Sequence, residues 1–342
     1  MDLAEVIRRF RLMYFLLKGL LNLAKRNVVI THRDVDGVIA GALLLRYFGD
    51  SEVIFAGPRD IDQVLRIVSL WRGKGYHIAI SDISLNRGKV GAVVSSLVSL
   101  RKRGCRIYWF DHHTWPEEVL STISPYVDKL CIERAPSATS VVAKYLNLVD
   151  EYTKELIEVA NDADTARYSL EVSHVYRRLT QKHGTRIRLL KALARGIKLS
   201  NELLEEAKRI EARERKVLTD VAKFIEVHTT RGGRKFIVVD FRGTGIKGAG
   251  ILVKEFCERY GADFAVVIYR DDSVSLYAGR ARDINLLPVV WRFGGGGHPV
   301  ACGCTLKLPL RDRLMAVIAK IFRRRYYPQK ILELIDYTKE VL

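Results

Sequence analysis

Three short runs hold most of the residues that could do chemistry in this chain. Thr31-His32-Arg33-Asp34-Val35-Asp36-Gly37 closes one apolar stretch, Ser81-Asp82 closes another, and Phe110-Asp111-His112-His113 closes a third. Clustered carboxylates repel and raise one another's pKa unless cations neutralise them. Carboxylates interleaved with imidazoles form a ligand set for two divalent ions. Oxygen and nitrogen donors suit Mn²⁺, with Mg²⁺, Fe or Co²⁺ as alternatives, better than a thiolate-seeking metal. A pair of such ions about 3.5–4 Å apart activates water and clamps the oxygens of a phosphoryl group during in-line displacement. A lone Asp at a strand end is ordinarily a helix cap or turn residue. His32, Asp34 and Asp36 also fit that plainer role. It accounts poorly for an Asp-His-His run after a wholly apolar strand.

The elements that must position these runs follow from the pattern of apolar residues. Asn27–Thr31, Glu52–Ala56, His77–Ser81 and Arg106–Phe110 read as strands, with Gly37–Phe48, Ile61–Trp71 and Lys89–Arg103 as helices between them. Continuous Val/Ile strands alternating with helices predict an α/β fold with a doubly wound, mostly parallel sheet. Ligands of such sheets bind outside the carboxyl ends of the strands, so three strands would deliver the acidic runs to one rim. Residues 3–25 have helical periodicity, 137–170 look helical, and 185–227 contain one or two long helices rich in Lys, Arg and Glu. From Arg231 the period changes again. Lys235–Phe241, Asp263–Tyr269, Ser273–Ala278 and Cys302–Leu306 read as strands, Ala249–Tyr260 as a helix, and Asp271-Asp272 as a hairpin turn. The division expected is 1–175, a helical connector 176–228, a smaller α/β domain 229–310, and a helical extension 311–342.

Composition bounds the class. The 342 residues are 48% hydrophobic and 28% charged, which excludes a collagen, a coiled-coil rod and a disordered tail. Lys and Arg number 57 against 39 Asp and Glu, a formal net charge of +18. That excess favours a polyanionic partner. The five cysteines include no CxxC pair, so neither a disulfide framework nor a zinc ribbon is suggested. Cys302 and Cys304 read as alternate buried thiols. The N-terminal residues show neither a signal peptide nor a span of about 20 apolar residues, so a cytoplasmic protein without a membrane role is expected. Scarce Gln, Asn and Met among many charged residues fit a heat-adapted protein.

The ordered set HRDVDG, SD, DHH, an Asp-rich helix end at Asn161-Asp162-Ala163-Asp164-Thr165, and GGGGHP far downstream resembles the DHH phosphoesterase superfamily with its DHH-associated substrate-binding domain. The resemblance covers roughly residues 25–308. It implies that His32 and Asp34 bind one metal, that Asp36 and His112 bind the second, and that Asp82 bridges both. The fourth motif would add Asp164, with Asp162 as the alternative. Asp111 would orient a ligand imidazole and His113 would touch the scissile phosphate. Pyrophosphatase-like members place three residues between the motif's His and first Asp. Here only Arg33 intervenes, as in the RecJ exonuclease branch, which favours a nucleic-acid substrate.

Two further features concern the substrate. The glycines of Gly294-Gly295-Gly296-Gly297-His298-Pro299 permit a backbone whose N–H groups turn toward an anion. Gly295, Gly296, Gly297 and His298 are therefore candidate phosphate contacts. Arg280 stands where the resemblance implies a phosphate-binding Arg, although the serines that flank it in the family are absent here, and Arg282 is the alternative. Residues 177–198 hold eight Lys or Arg and no acid. Arg188, Lys191, Arg195 and Lys198 would share one helical face, either a rail for backbone phosphates or a solvated surface. Arg323-Arg324-Arg325 before Tyr326-Tyr327 offers a similar choice. The expected function is a Mn²⁺-dependent exonuclease that releases nucleoside monophosphates from single-stranded DNA or RNA, or from short oligonucleotides. The alternatives are a nanoRNase, a 3′-phosphoadenosine 5′-phosphate phosphatase, a cyclic dinucleotide phosphodiesterase, and a non-catalytic replication-complex subunit. A homodimer or a replication or repair partner is compatible with each.

Overall fold

The computed structural model describes residues 3–21, 23–71, 75–244, 250–269, 272–281, 283–321 and 326–342. Asp271, Arg282 and Arg323-Arg324-Arg325 lie outside them. The chain forms two compact units, Met1–Glu211 and Ala212–Leu342.

The first unit runs α1 (Leu3–Leu20), β1 (Asn27–Thr31), α2 (Val35–Phe48), β2 (Ser51–Phe55), α3 (Ile61–Ser69), β3 (His77–Ser81), α4 (Val90–Lys102), β4 (Arg106–Asp111), α5 (Glu117–Ile123), β5 (Lys129–Ile132), α6 (Ala138–Tyr145), α7 (Glu151–Asp164), α8 (Glu171–Thr180), α9 (His183–Ala194) and α10 (Asn201–Ala222), the last crossing into the second unit. The five strands are parallel throughout, in the order β2-β1-β3-β4-β5. This is the doubly wound parallel sheet expected from the sequence. Alternate side chains explain its two layers. Val29, Val53, Ala79 and Phe110 face the core under α2 and α6–α9. Val28, Ile30, Ile54, Ile78, Ile80 and Trp109 face the core under α3 and α4. Sides this apolar must both be covered, and each buried Ile or Val contributes about 1.5–3 kcal/mol.

The second unit contains β6 (Glu226–Thr229), β7 (Lys235–Asp240), α11 (Gly250–Tyr260), β8 (Phe264–Ile268), β9 (Ser273–Ala278), α12 (Leu287–Arg292), β10 (Gly296–His298), β11 (Ala301–Thr305), α13 (Leu310–Ile321) and α14 (Gln329–Val341). Its sheet order is β10-β11-β9-β8-β7-β6, with β7 and β8 parallel and the remaining pairs antiparallel. One face packs under α11 and the other under α12 and α14. Cys302 and Cys304 lie inward on β11 at 5% and 7% exposure, as alternate buried thiols. Among the described residues no helix is long and apolar enough to cross a membrane.

The turn from β1 into α2 is the tightest joint near the acidic runs. A Cβ on Gly37 would lie 2.7 Å from the His32 Cβ and 2.8 Å from the His32 carbonyl carbon. Only glycine lets the first turn of α2 fold back over that histidine. Gly37→Ala is expected to lower the unfolding free energy by about 1–3 kcal/mol, the cost of forcing a methyl into filled space. Urea denaturation checks it, and an unchanged midpoint contradicts the account of this turn.

Candidate metal centre

In a 2-1-3-4-5 sheet the chain reverses direction between β1 and β3, which opens a crevice at their carboxyl ends. The acidic runs are delivered there. His32 and Asp34 follow β1, Asp82 follows β3, and Asp111, His112 and His113 end β4. Asp164 arrives from the last turn of α7.

Three overlapping sets of donors converge. His32, Asp34 and Asp82 form the first, Asp36, His112 and Asp164 the second, and Asp82, Asp111, His112 and His113 a third, each with donor atoms within 4.8 Å of one another. The His32 Nδ1 lies 2.7 Å from Asp34 Oδ2 and 3.5 Å from Asp82 Oδ2. The His112 Nε2 lies 3.6 Å from Asp82 Oδ1, 3.5 Å from Asp164 Oδ2 and 3.9 Å from Asp36 Oδ2. Asp82 thus faces the first two sets. Its φ of 57° puts a non-glycine residue in the left-handed region, a strained backbone of the kind that clusters at functional sites.

Each ligand candidate is held by neighbours. Asp34 has both roles weighed above, because its Oδ1 caps α2 by accepting from Gly37 N at 3.0 Å while Oδ2 faces His32. Asp36 is 2% exposed and accepts from the Ala138 and Thr139 N–H groups and the Thr139 hydroxyl, so the start of α6 supports it. The His112 Nδ1 lies 3.1 Å from the Ala135 carbonyl, which makes it the donor and leaves Nε2 as the coordinating atom.

The expectation for Asp111 is corrected. The imidazole it holds is that of His113, with Nδ1 2.8 Å from Oδ1, rather than that of His112. Its Oδ2 accepts from Trp115 Nε1 at 2.7 Å. Asp162 is turned away from the donor sets. It is 2% exposed and its oxygens accept from Ser169 N and Oγ and from Leu170 N, tying down the loop after α7. Those bonds outweigh burial and hold its pKa down at about 2. Of the two motif candidates, only Asp164 is brought to the other donors.

The electrostatics test whether cations fit. Burial, then the charges of Asp82 and Asp164, push Asp36 well above the usual carboxylate range. Burial, with Asp34 next, also raises Asp82. Burial lifts Asp164 to about 6, with His112 opposing and Asp82 adding. His112 loses to burial but gains more from Asp82, Asp164 and Asp36, reaching about 10. The buried Asp82 Oδ2 and His112 Nε2 have no hydrogen-bond partner. Mutually repelling buried carboxylates with unpartnered donor atoms are what two divalent ions would resolve, and the donor types match Mn²⁺ or Mg²⁺.

The other predicted residues fall elsewhere. The glycine run is partly corrected. Gly295 N donates to Val290 O at 2.8 Å and Gly294 N to Trp291 O at 3.0 Å, so these two N–H groups close α12 instead of facing an anion. Gly296, Gly297 and His298 form edge strand β10. A Cβ on Gly295 would lie 2.3 Å from Gly303 O, so that glycine is there for close strand approach, and Gly294, with open space around it, is there for its left-handed φ of 70°. Arg280 is exposed beyond the end of β9. The basic face is also corrected. The α9 helix ends at Ala194, with Arg195 as its cap and Gly196 at φ 83°, so Lys198 lies off the helix. Arg188 pairs with Glu202 and Lys198 with Glu155. The supports at Ala135, Trp115 and Thr139 were missed. Only Ser137, whose side chain accepts from Ser140 N to cap α6, left a signal for that last helix start.

Residues 233–324 match the DHHA1 domain family. Among solved structures, the chain is similar to a DHH domain from a protein described as belonging to a family of ribosomal proteins. There the identity is 15% and the TM-score 0.61, over 95% of this chain and 93% of the other. It is also similar to exonuclease RecJ bound to manganese, at 15% identity and a TM-score of 0.52, over 95% and 97%. A third is the pGpG-specific phosphodiesterase PggH from Vibrio cholerae, at 14% identity and a TM-score of 0.53, over 87% and 98%. No curated protein sequence matches the chain. Residues 233–324 are thus a DHHA1 domain by their match, and the chain as a whole shares the fold of DHH-domain proteins.

Two expectations follow. Asp162→Ala should cost about 1–3 kcal/mol of stability by orphaning the loop amides, yet retain Mn²⁺ affinity. Asp164→Ala should do the reverse, and calorimetric titration beside thermal melts separates them. The second concerns pH. A carboxyl whose folded pKa is raised destabilises the folded state as it ionises, so Asp164 removes stability as pH rises from 3.8 towards 6. Asp36 and Asp82 act in the same direction, as does loss of the His112 proton. Asp34 and Asp162, held low, oppose them at more acidic pH, and His183, held at about 4, opposes them below its ordinary value of 6.5. With chelator present, Tm should fall between about pH 5 and pH 8, and excess Mn²⁺ should raise Tm more at the higher pH. A Tm independent of pH in chelator contradicts this account.

Proposed function

We propose that the chain is a cytoplasmic, divalent-metal-dependent phosphodiesterase, with Mn²⁺ the preferred ion, that removes nucleoside monophosphates from single-stranded DNA or RNA or from short oligonucleotides. The observation that carries this reading is the convergence of two donor sets on Asp82 at the switch point of the sheet. In it, His32, Asp34 and Asp82 would hold one ion, and Asp36, His112 and Asp164, with Asp82 facing them, would hold the other. Bound there, two divalent ions supply acidified water and positive charge against phosphoryl oxygens.

The remaining residues complete the chemistry. The bond to Asp111 fixes the His113 ring, and that carboxylate outweighs burial in raising its pKa. With Nδ1 held by Asp111, Nε2 is the atom His113 would present to a phosphoryl or leaving oxygen. The formal charge of +18 supports a polyanionic substrate over pyrophosphate. Arg280 and His298 are the proposed phosphate contacts of the second unit.

End-labelled DNA and RNA of graded lengths, beside cyclic dinucleotides, should be incubated with Mn²⁺. Labelled mononucleotide is expected from the linear strands. Asp82→Ala should lower that rate by at least about 100-fold while the far-ultraviolet spectrum stays native. Undiminished cleavage by the variant would remove the metal centre from the reaction.

A further inference from the structure

A second group of charged side chains lies beside the first donor set, and nothing above uses it. Arg186, in the first turn of α9, is buried at 9% exposure. Its Nε, at 2.8 Å, and its Nη2 both donate to the Thr180 carbonyl, which leaves the outer Nη1 and Nη2 hydrogens for a ligand, and its guanidinium lies 5.2 Å from the centre of the Phe55 ring. The His183 ring meets the same phenyl edge-on at 5.8 Å. Arg33 reaches the same strand end, donating to the Phe55 carbonyl at 3.3 Å and pairing with Asp60. Among the described residues neither Arg186 nor Arg11 forms an ion pair.

Burial, then Arg33 and Arg11, pull the Arg186 guanidinium down to about 10, which still leaves it charged at neutral pH. The same surroundings hold His183 down at about 4, so it adds no charge. A buried cation among like charges is costly unless an anion joins it. Guanidinium groups bind phosphate with two parallel hydrogen bonds, and the start of α9 has no side-chain cap. Position supplies the last observation. A Cβ on Gly57 would lie 3.1 Å from Arg33 Nη1 and 3.6 Å from His32 Nε2, so this cationic group borders the first donor set directly.

We infer that Arg186 and Arg33 form an anion subsite for a backbone phosphate of a single nucleic-acid strand, next to the metal centre. The substrate class rests on the hydrolase reading above, whereas the binding itself does not.

Fluorescence anisotropy with fluorescein-labelled dT8 and rU8 in EDTA tests the subsite without turnover. Arg186→Gln and Arg33→Gln should each weaken binding about tenfold or more. Each should also reduce the slope of log K against log salt by about one contact's share, roughly 0.7. Lys102→Gln removes the same charge from an exposed position on α4 and should change affinity by less than twofold. Thermal melts report folding, and Arg186→Lys, which keeps the charge, should recover part of the affinity. Gln variants that bind like Lys102→Gln, with the same slope, overturn the subsite. A chain that binds in this manner but cleaves nothing in Mn²⁺ keeps the subsite and loses the hydrolase reading.

Discussion

Like charges forced together in a dry place dominate this structure. Asp36 and Asp82 are each 2% exposed, and donor oxygens of Asp34 and Asp164 lie within 4.8 Å of those of Asp82 and Asp36 respectively. Burial strengthens their repulsion, because less water screens it. Hydrogen bonds from Thr139, Gly37 and the α6 amides offset part of the cost, and two imidazoles offset more. The remainder is a repulsion that divalent cations would relieve. The rest of the first unit keeps the carboxylates together against it.

Topology makes the crowding attainable. Adjacent strands run parallel and their helices leave on opposite faces, so the ends of β1 and β3 stay uncovered. Side chains from positions 32, 82 and 112 meet there although long stretches of chain separate them. The second row of support is backbone. The Ala135 carbonyl sets the tautomer of His112, the α6 amides hold Asp36, and Asp111 aligns His113. Donors tied down in this way would meet an ion in a fixed arrangement, which is the condition for discriminating among metals by geometry.

Much of the fold was legible because its strands are buried on both faces. β1, β3 and β9 fall where the apolar runs place them, residue for residue. The failures have identifiable causes. β5 is a four-residue edge strand with one buried side chain, too short and too polar to announce itself. β10 is Gly-Gly-His, a sequence without strand preference that extends only because β11 lies beside it. The single basic helix predicted across 188–198 is interrupted because Gly196 adopts a left-handed backbone after Ala194.

The sequence alone determined which residue types end each central strand, and hence that carboxylates and imidazoles gather on one rim. That follows from the fixed alternation of strand and helix, a local property. Only the tertiary structure decided which of Asp162 and Asp164 joins them. The two lie in the same helical turn, and sequence spacing cannot say which one a loop captures. The amides of Ser169 and Leu170 took Asp162, leaving Asp164 turned toward His112. Likewise, the placing of Arg186 beside Phe55 came from the packing of α9 against the sheet, a long-range contact that no local pattern encodes.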